Sequence, residues 1–272
     1  MKRELVIQER PYRPKIVFNS GSLQQVANFI RKITEKEKGF RKTDECRVEI
    51  TKEQSIVMNR MDKEGNVPLH WAALKGHLKI VEILKRQGAE IHTINEKHCT
   101  AFLLATVNGH IEVVKFLYEH GADADIHTAS NNGWTPLYAA SYNGHIEVIK
   151  FLYMHGADIH TPDNNGWTPL NAASYNGHIE AVKFLSAISE VYALDTDKNG
   201  RTALFFAAMQ GHNKLVRLLY TKYPSSLHIK DNYNATPLFA TSRNGHVEIV
   251  KFLLGAHHTY IDSKDCFGRM WT

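Results

Sequence analysis

Sixteen histidines and three cysteines are the side chains in this sequence whose types could hold a metal or act as nucleophiles, so their spacing is the first question. His77, His110, His145, His178, His212 and His246 each follow a glycine, and those glycines recur at spacings of 33, 35, 33, 34 and 34 residues. Zinc draws its ligands in to ~2 Å, whereas helices repeating at such a period stack roughly 8–10 Å apart. One histidine per layer therefore reads as a ladder of structural landmarks. His92, His127, His160 and His228 form a second ladder of the same kind, and His257 and His258, outside both registers, have no third ligand in view. Cys46, Cys99 and Cys266 are odd in number and far apart, which argues against a disulfide framework and for a reducing compartment. The nucleophile-elbow, phosphate-loop, dinucleotide-binding and H-E-x-x-H zinc patterns are all missing from the sequence. No catalytic site, metal, other cofactor or small-molecule substrate is expected.

The elements that carry these histidines repeat. Asn131 to Leu152 reads NNGWTPLYAASYNGHIEVIKFL, and Asn164 to Leu185 repeats it with only three changes. Thr135 is a hydroxyl N-cap, and Pro136 follows where its missing N–H costs nothing, so a helix starts there. Leu137, Ala139 and Ala140 give that helix a narrow apolar face, and Asn143-Gly144 end it with a left-handed cap. Ile146, Val148, Ile149, Phe151 and Leu152 then recur at helical spacing, with Glu147 three residues before Lys150 on the outer face. This second helix ends at His155-Gly156, and a turn-rich hairpin returns the chain to the next Thr-Pro. A single such layer cannot bury its own apolar faces, so stability must come from neighbours stacked on both sides. The pairs Ala72-Ala73, Ala105-Thr106, Ala139-Ala140, Ala172-Ala173, Ala207-Ala208 and Ala240-Thr241 supply the small residues that close packing of first helices needs.

The period, and the runs Val67-Pro68-Leu69-His70, Thr135-Pro136-Leu137-Tyr138, Thr168-Pro169-Leu170-Asn171 and Thr236-Pro237-Leu238-Phe239, resemble the ankyrin repeat family, whose period and T-P-L-H-x-A signature they match. The resemblance covers Asp62 to Asp265. It implies an all-α repeat solenoid of stacked helix-turn-helix layers joined by β-hairpin-like loops. The expected repeats span 62–94, 95–129, 130–162, 163–196, 197–230 and 231–264, followed by the start of an incomplete seventh at 265–272.

The net charge of +5 is unevenly placed: residues 1–64 hold 15 Lys and Arg against 10 Asp and Glu, and the remainder holds 18 of each. The array is thus balanced and gives no electrostatic footprint for nucleic acid. Residues 1–61 form a basic N-terminal segment. Leu23, Val26 and Phe29 line up with the apolar face of a second helix, which marks a degenerate capping repeat over about 12–33. A polar insertion over about 34–58 follows, where Glu35, Glu37, Asp44 and Glu45 neutralise the lysines and arginines and favour a solvated linker over a localisation signal. The N-terminus lacks the apolar run of a secretory signal and no stretch is long enough to span a membrane, so an intracellular protein, cytoplasmic or nuclear, is expected. Because the chain stops inside a seventh copy, it is expected to be a piece of a longer protein, with Val247, Ile249, Val250 and Phe252 exposed at its uncapped end.

Local departures carry their own expectations. His98 stands where other hairpins have glycine, so the Asn95 to Cys99 hairpin should be distorted. The longer spacing before Gly144 should make the loop around Ala124-Asp125 bulge outward. Asn234 also replaces that glycine but tolerates a left-handed backbone.

The function that remains is binding. The family resemblance implies a partner on the concave surface of hairpin tips and first helices, and carrying those places over selects Trp134, Tyr142, Asn143, Trp167, Tyr175, Asn176, Arg201, Met209, Tyr233 and Arg243. Aromatic residues among asparagines suit an interface, being large and rigid with adaptable hydrogen bonding around them. The alternative, that Trp134 and Trp167 pack across neighbouring hairpins and stabilise the stack, stays open. The expected partner is a protein or peptide bound by a monomeric, non-catalytic scaffold or adaptor. The other reading is a targeting or regulatory portion of a larger multidomain protein or enzyme.

Overall fold

The structure, a computed structural model, describes residues 59–188 and 194–256, all belonging to one compact unit. The N-terminal segment to residue 58, with its expected capping repeat and insertion, and the stub 265–272 lie outside the described residues, as do Cys46, Cys266, His257 and His258.

Among the described residues there are twelve α-helices and no strands. They come as six pairs: α1 (Pro68–Leu74) with α2 (Leu78–Arg86), α3 (Ala101–Val107) with α4 (Ile111–Leu117), α5 (Pro136–Asn143) with α6 (Ile146–Met154), α7 (Pro169–Asn176) with α8 (Ile179–Ile188), α9 (Ala203–Met209) with α10 (Asn213–Lys222), and α11 (Pro237–Arg243) with α12 (Val247–Ala256). Each pair is one layer, numbered one to six in chain order. First helices stack on first helices, α1 on α3, α3 on α5 and so on to α11, while second helices do the same along their own row.

The helix starts follow from capping. Thr135 accepts from the Tyr138 amide at 3.2 Å, and Thr100, Thr168, Thr202 and Thr236 do the same for Leu103, Asn171, Phe205 and Phe239. Layer one has Val67 at this place and solves the problem differently. There the buried His70 accepts from the Val67 amide through Nδ1 at 3.1 Å and donates through Nε2 to the Thr93 carbonyl at 2.8 Å. Accepting at Nδ1 requires the neutral imidazole, and burial holds the His70 pKa below the ordinary 6.5.

A lowered folded-state pKa gives stability that is complete above 6.5 and is lost as pH falls below it, because the unfolded chain takes up a proton that the folded one resists. His70→Gln can imitate both bonds without titrating. In urea melts, the stability advantage of the native chain over this variant is expected to shrink between pH 7.5 and pH 5.5; an advantage constant across that range would contradict the assignment.

The loops between layers correct two sequence expectations. His98 is not a point of distortion: it adopts φ 59° and its amide donates to Asn95 O at 2.9 Å, as Gly65 does to Asp62 O at 3.1 Å. Asn234 takes φ 61°, as expected. The extra residues before layer three do not bulge outward. They wind into a turn over Tyr118–Ala122 and a 3-10 turn over Ala124–His127 that bury Asp125 and Ile126, with Asp125 Oδ1 2.9 Å from His92 Nδ1.

Small residues make the stack tight. Ala139, Ala140, Ala172, Ala173, Ala207 and Ala208 are fully buried between first helices. The second helices carry Glu147–Lys150, Glu180–Lys183 and Glu248–Lys251 pairs at 2.8–3.0 Å, all largely in solvent and worth little individually. At the far end, Val247 is exposed as expected and Leu254 is exposed beside it, but Ile249 is buried, Val250 is half-buried, and Phe252, also half-buried, lies edge-on to Tyr220 and beneath Arg217.

Candidate functional site

Each hairpin is folded by the residue at its head. Asp163 Oδ1 accepts the Asn165 and Trp167 amides at 2.8 and 2.9 Å, and Asp197 and Asp231 repeat the pattern with Asn199 and Arg201, and with Tyr233 and Ala235. The second carboxylate oxygen is then available to a neighbour. Asp62 receives the Trp71 indole N–H at 2.9 Å, Asp163 the Tyr138 hydroxyl at 3.2 Å, and Asp197 the Arg201 guanidinium at 2.7 Å. Burial, reinforced by the Asp163 carboxylate, pushes the Tyr138 hydroxyl far above the ordinary phenol range and keeps it a donor. The sequence reading passed over these acids, although their recurrence in register with the hairpin glycine is the signal that would have found them.

Successive hairpins are joined edge to edge. The second residue of each donates its amide to the third residue of the one before: Asn131 to Lys97, Asn164 to Asn132, Lys198 to Asn165 and Asn232 to Asn199, at 2.8–3.2 Å. Side chains reinforce the row, since Asn131, Asn164 and Asn232 donate through Nδ2 to the carbonyls of Glu96, Asn131 and Lys198. The hairpin tips therefore form a continuous, rigid edge.

The fifth hairpin residue lays its side chain over the end of the first helix. The Trp134 ring lies 4.9 Å from Tyr142 and 5.2 Å from Tyr138, and Trp167 lies 5.0 Å from Tyr175 and 4.3 Å from Phe206 of the next layer. Both indoles also pack against the cluster of Tyr138, Tyr142 and Ala172. Arg201 continues the column, with its guanidinium 4.9 Å from the Phe206 ring.

This packing sorts the ten candidates. Tyr142 and Tyr175, expected to point outward, are only 9% exposed because the indoles cover them, and Arg201 is 7% exposed because it is pinned between Asp197 and Phe206. Trp134, Trp167, Asn143, Asn176 and Met209 are half-buried; Tyr233, at 51%, and Arg243 are exposed. The structure thus brings Trp134, Tyr142, Trp167 and Tyr175 into one stacked column shared by layers three to five. Met209 belongs instead to a second cluster with Phe205, Ala235, Ala240 and Phe239.

The glycine–histidine ladder has a defined role. His110, His145, His178, His212 and His246 each donate through Nε2 to a carbonyl of the preceding layer, those of Leu74, Val107, Tyr142, Tyr175 and Met209, at 2.8–3.0 Å. Burial lowers the pKa of His145 and His178, and their histidine neighbours along the ladder lower it further. In the second ladder His92 meets Asp125 and not another histidine. Among the described residues no three His, Cys, Asp or Glu side chains converge as a ligand set. Cys99 is a free thiol that burial pushes up to about 11, which leaves it a poor nucleophile. No described helix is long and apolar enough to cross a membrane.

Comparison with known proteins agrees with this geometry. The family model described as ankyrin repeats (3 copies) matches residues 43–128, 69–163, 123–195 and 186–265. Curated proteins return no match. The layered helix pairs, the hairpin edge and a family match that spans most of the sequence lead to one conclusion: this chain belongs to the ankyrin repeat family.

Proposed function

We propose that this chain is a non-catalytic interaction scaffold or adaptor that holds a protein or peptide partner on the surface made by the hairpins and the ends of the first helices. Ankyrin repeats are in general protein–protein interaction modules. The observation that carries the assignment to this surface is the aromatic column itself. Trp134 and Trp167 remain half-buried while their neighbours fix them in place, so a partner would meet large apolar surface already ordered. Asparagines rim it, and in layers three and four the hairpins and first helices contain no lysine or arginine and a single acid, the internally bonded Asp163. Such a neutral surface suits a protein partner and not a phosphate backbone.

Photo-cross-linking tests this reading. A photoreactive residue placed at Asn165 or Asn176 is expected to give discrete adducts in cell lysate, and one at Lys150 or Lys183 on the second helices is expected to give few. Equal labelling from both faces would overturn the assignment.

A further inference from the structure

The hydrogen-bonding polarity of this surface narrows the partner's chemistry. On layers three to five, five side-chain amides are turned inward. Asn143 and Asn176 donate through Nδ2 to the carbonyls of Ala139 and Ala172 at 2.9 and 3.1 Å, and Asn164 donates to Asn131 O at 2.8 Å. Asn165 and Asn199 lean on the carboxylates of Asp163 and Asp197 at 3.3 and 3.4 Å. Every one of these contacts is to an oxygen, so the NH₂ end must face it; the Asn164 carbonyl oxygen then lies over Gly133, and those of Asn143, Asn165, Asn176 and Asn199 are turned the other way. The strip therefore offers acceptors from several layers in a row. Its nearest cations do not offset them: the Lys198 ammonium donates to Asn164 O at 2.7 Å, and Arg201 is held by Asp197.

We infer that the strip across layers three to five takes an arginine-bearing segment of its partner, guanidinium against the amide oxygens and the indoles of Trp134 and Trp167. This rests on the reading that the same surface binds a protein partner. A guanidinium has five N–H donors in a planar fork and no acceptor, which matches a surface of carbonyl oxygens, and its face stacks on aromatic rings. The chain already contains this arrangement in layer five, where Arg201 lies over the Phe206 ring at 4.9 Å and 6.0 Å from the Trp167 centroid. A lysine ammonium brings three donors and a point charge but no stacking plane, and sheds its water less readily. A carboxylate meets oxygens across layers three and four, where the hairpins and first helices carry no lysine or arginine.

The test uses the full 272-residue chain, labelled with ¹⁵N, and three capped heptapeptides identical except for a central Arg, Lys or Glu. The indole N–H signals of Trp134 and Trp167 are the readout, with Trp71, whose indole is bound to Asp62, as the internal control. The arginine peptide is expected to shift Trp134 and Trp167 and to leave Trp71 in place. The lysine peptide should bind about tenfold more weakly and the glutamate peptide should not shift them. Asn176→Asp should tighten arginine binding about threefold or more and Asn176→Lys should weaken it by about tenfold or more. Asn143→Asp serves in place of the first variant if its melt shows loss of fold. The inference is overturned if the glutamate peptide moves the two indoles as far as the arginine peptide does, or if none of the peptides moves them. Its failure is separable from that of the broader reading: adducts at Asn165 and Asn176 without arginine preference would leave the binding surface standing and remove only the arginine.

Discussion

Ala140→Asp is expected to remove the cooperative unfolding transition of the array at 25 °C, a loss of about 4 kcal/mol or more. Ala140 is 0% exposed on α5, which packs against α3 on one side and α7 on the other. A carboxylate there would be buried without a cation, and its volume would push the first helices apart where alanine lets them touch. Because each layer is stabilised chiefly by its neighbours, a break at layer three separates two short arrays of marginal stability. Circular dichroism against urea measures it. Lys150→Ala, on the exposed side of the same layer, is the control and should change stability by only about 0.5 kcal/mol, since its pair with Glu147 lies in solvent. A cooperative melt for Ala140→Asp within error of the native one would refute the stacking account.

Gly144→Ala and Gly245→Ala are expected to differ although their backbones are alike. Both glycines are left-handed, at φ 74° and 75°, so each substitution carries about 1 kcal/mol of backbone cost. At Gly245 the new methyl would meet nothing within 4 Å, whereas at Gly144 it would lie 2.4 Å from Nδ1 of His178. The ring would have to move and give up its bond to Tyr142 O, bringing the total to about 3 kcal/mol. In a His178→Ala background the methyl has room, so the Gly144→Ala cost should fall to about 1 kcal/mol. Equal costs at the two glycines, or strict additivity with His178→Ala, would show that the inter-layer contact is not what the glycine protects.

Several features were legible because they are local. The Thr-Pro helix starts, the left-handed end at Gly144, and the Glu147–Lys150 pair all depend on residues within four positions of each other. The two misread loops failed for equally physical reasons. Histidine at position 98 reaches φ 59° without a glycine because the hairpin's own bond to Asn95 holds it there. The surplus near Ala124 was read as a bulge because length alone does not show that Asp125 and Ile126 can be buried.

The candidate surface was legible as a set of places and not as a set of exposures. Register alone puts Trp134 beside Tyr142 and Trp167 beside Tyr175, but which ring covers which depends on packing across layers. The indoles came out half-buried and the tyrosines beneath them buried.

Periodicity and local capping by themselves determined the layer and its two helices, because a repeat writes the same local instructions into the chain again and again; the family came from resemblance to its Thr-Pro-Leu signature. Tertiary structure alone decided what the recurring glycine and histidine are for. They are adjacent in sequence, yet the contact that matters joins the glycine of one layer to the histidine of the next, 34 residues on from Gly144 to His178. No local rule specifies that meeting, since it exists only once two layers have stacked.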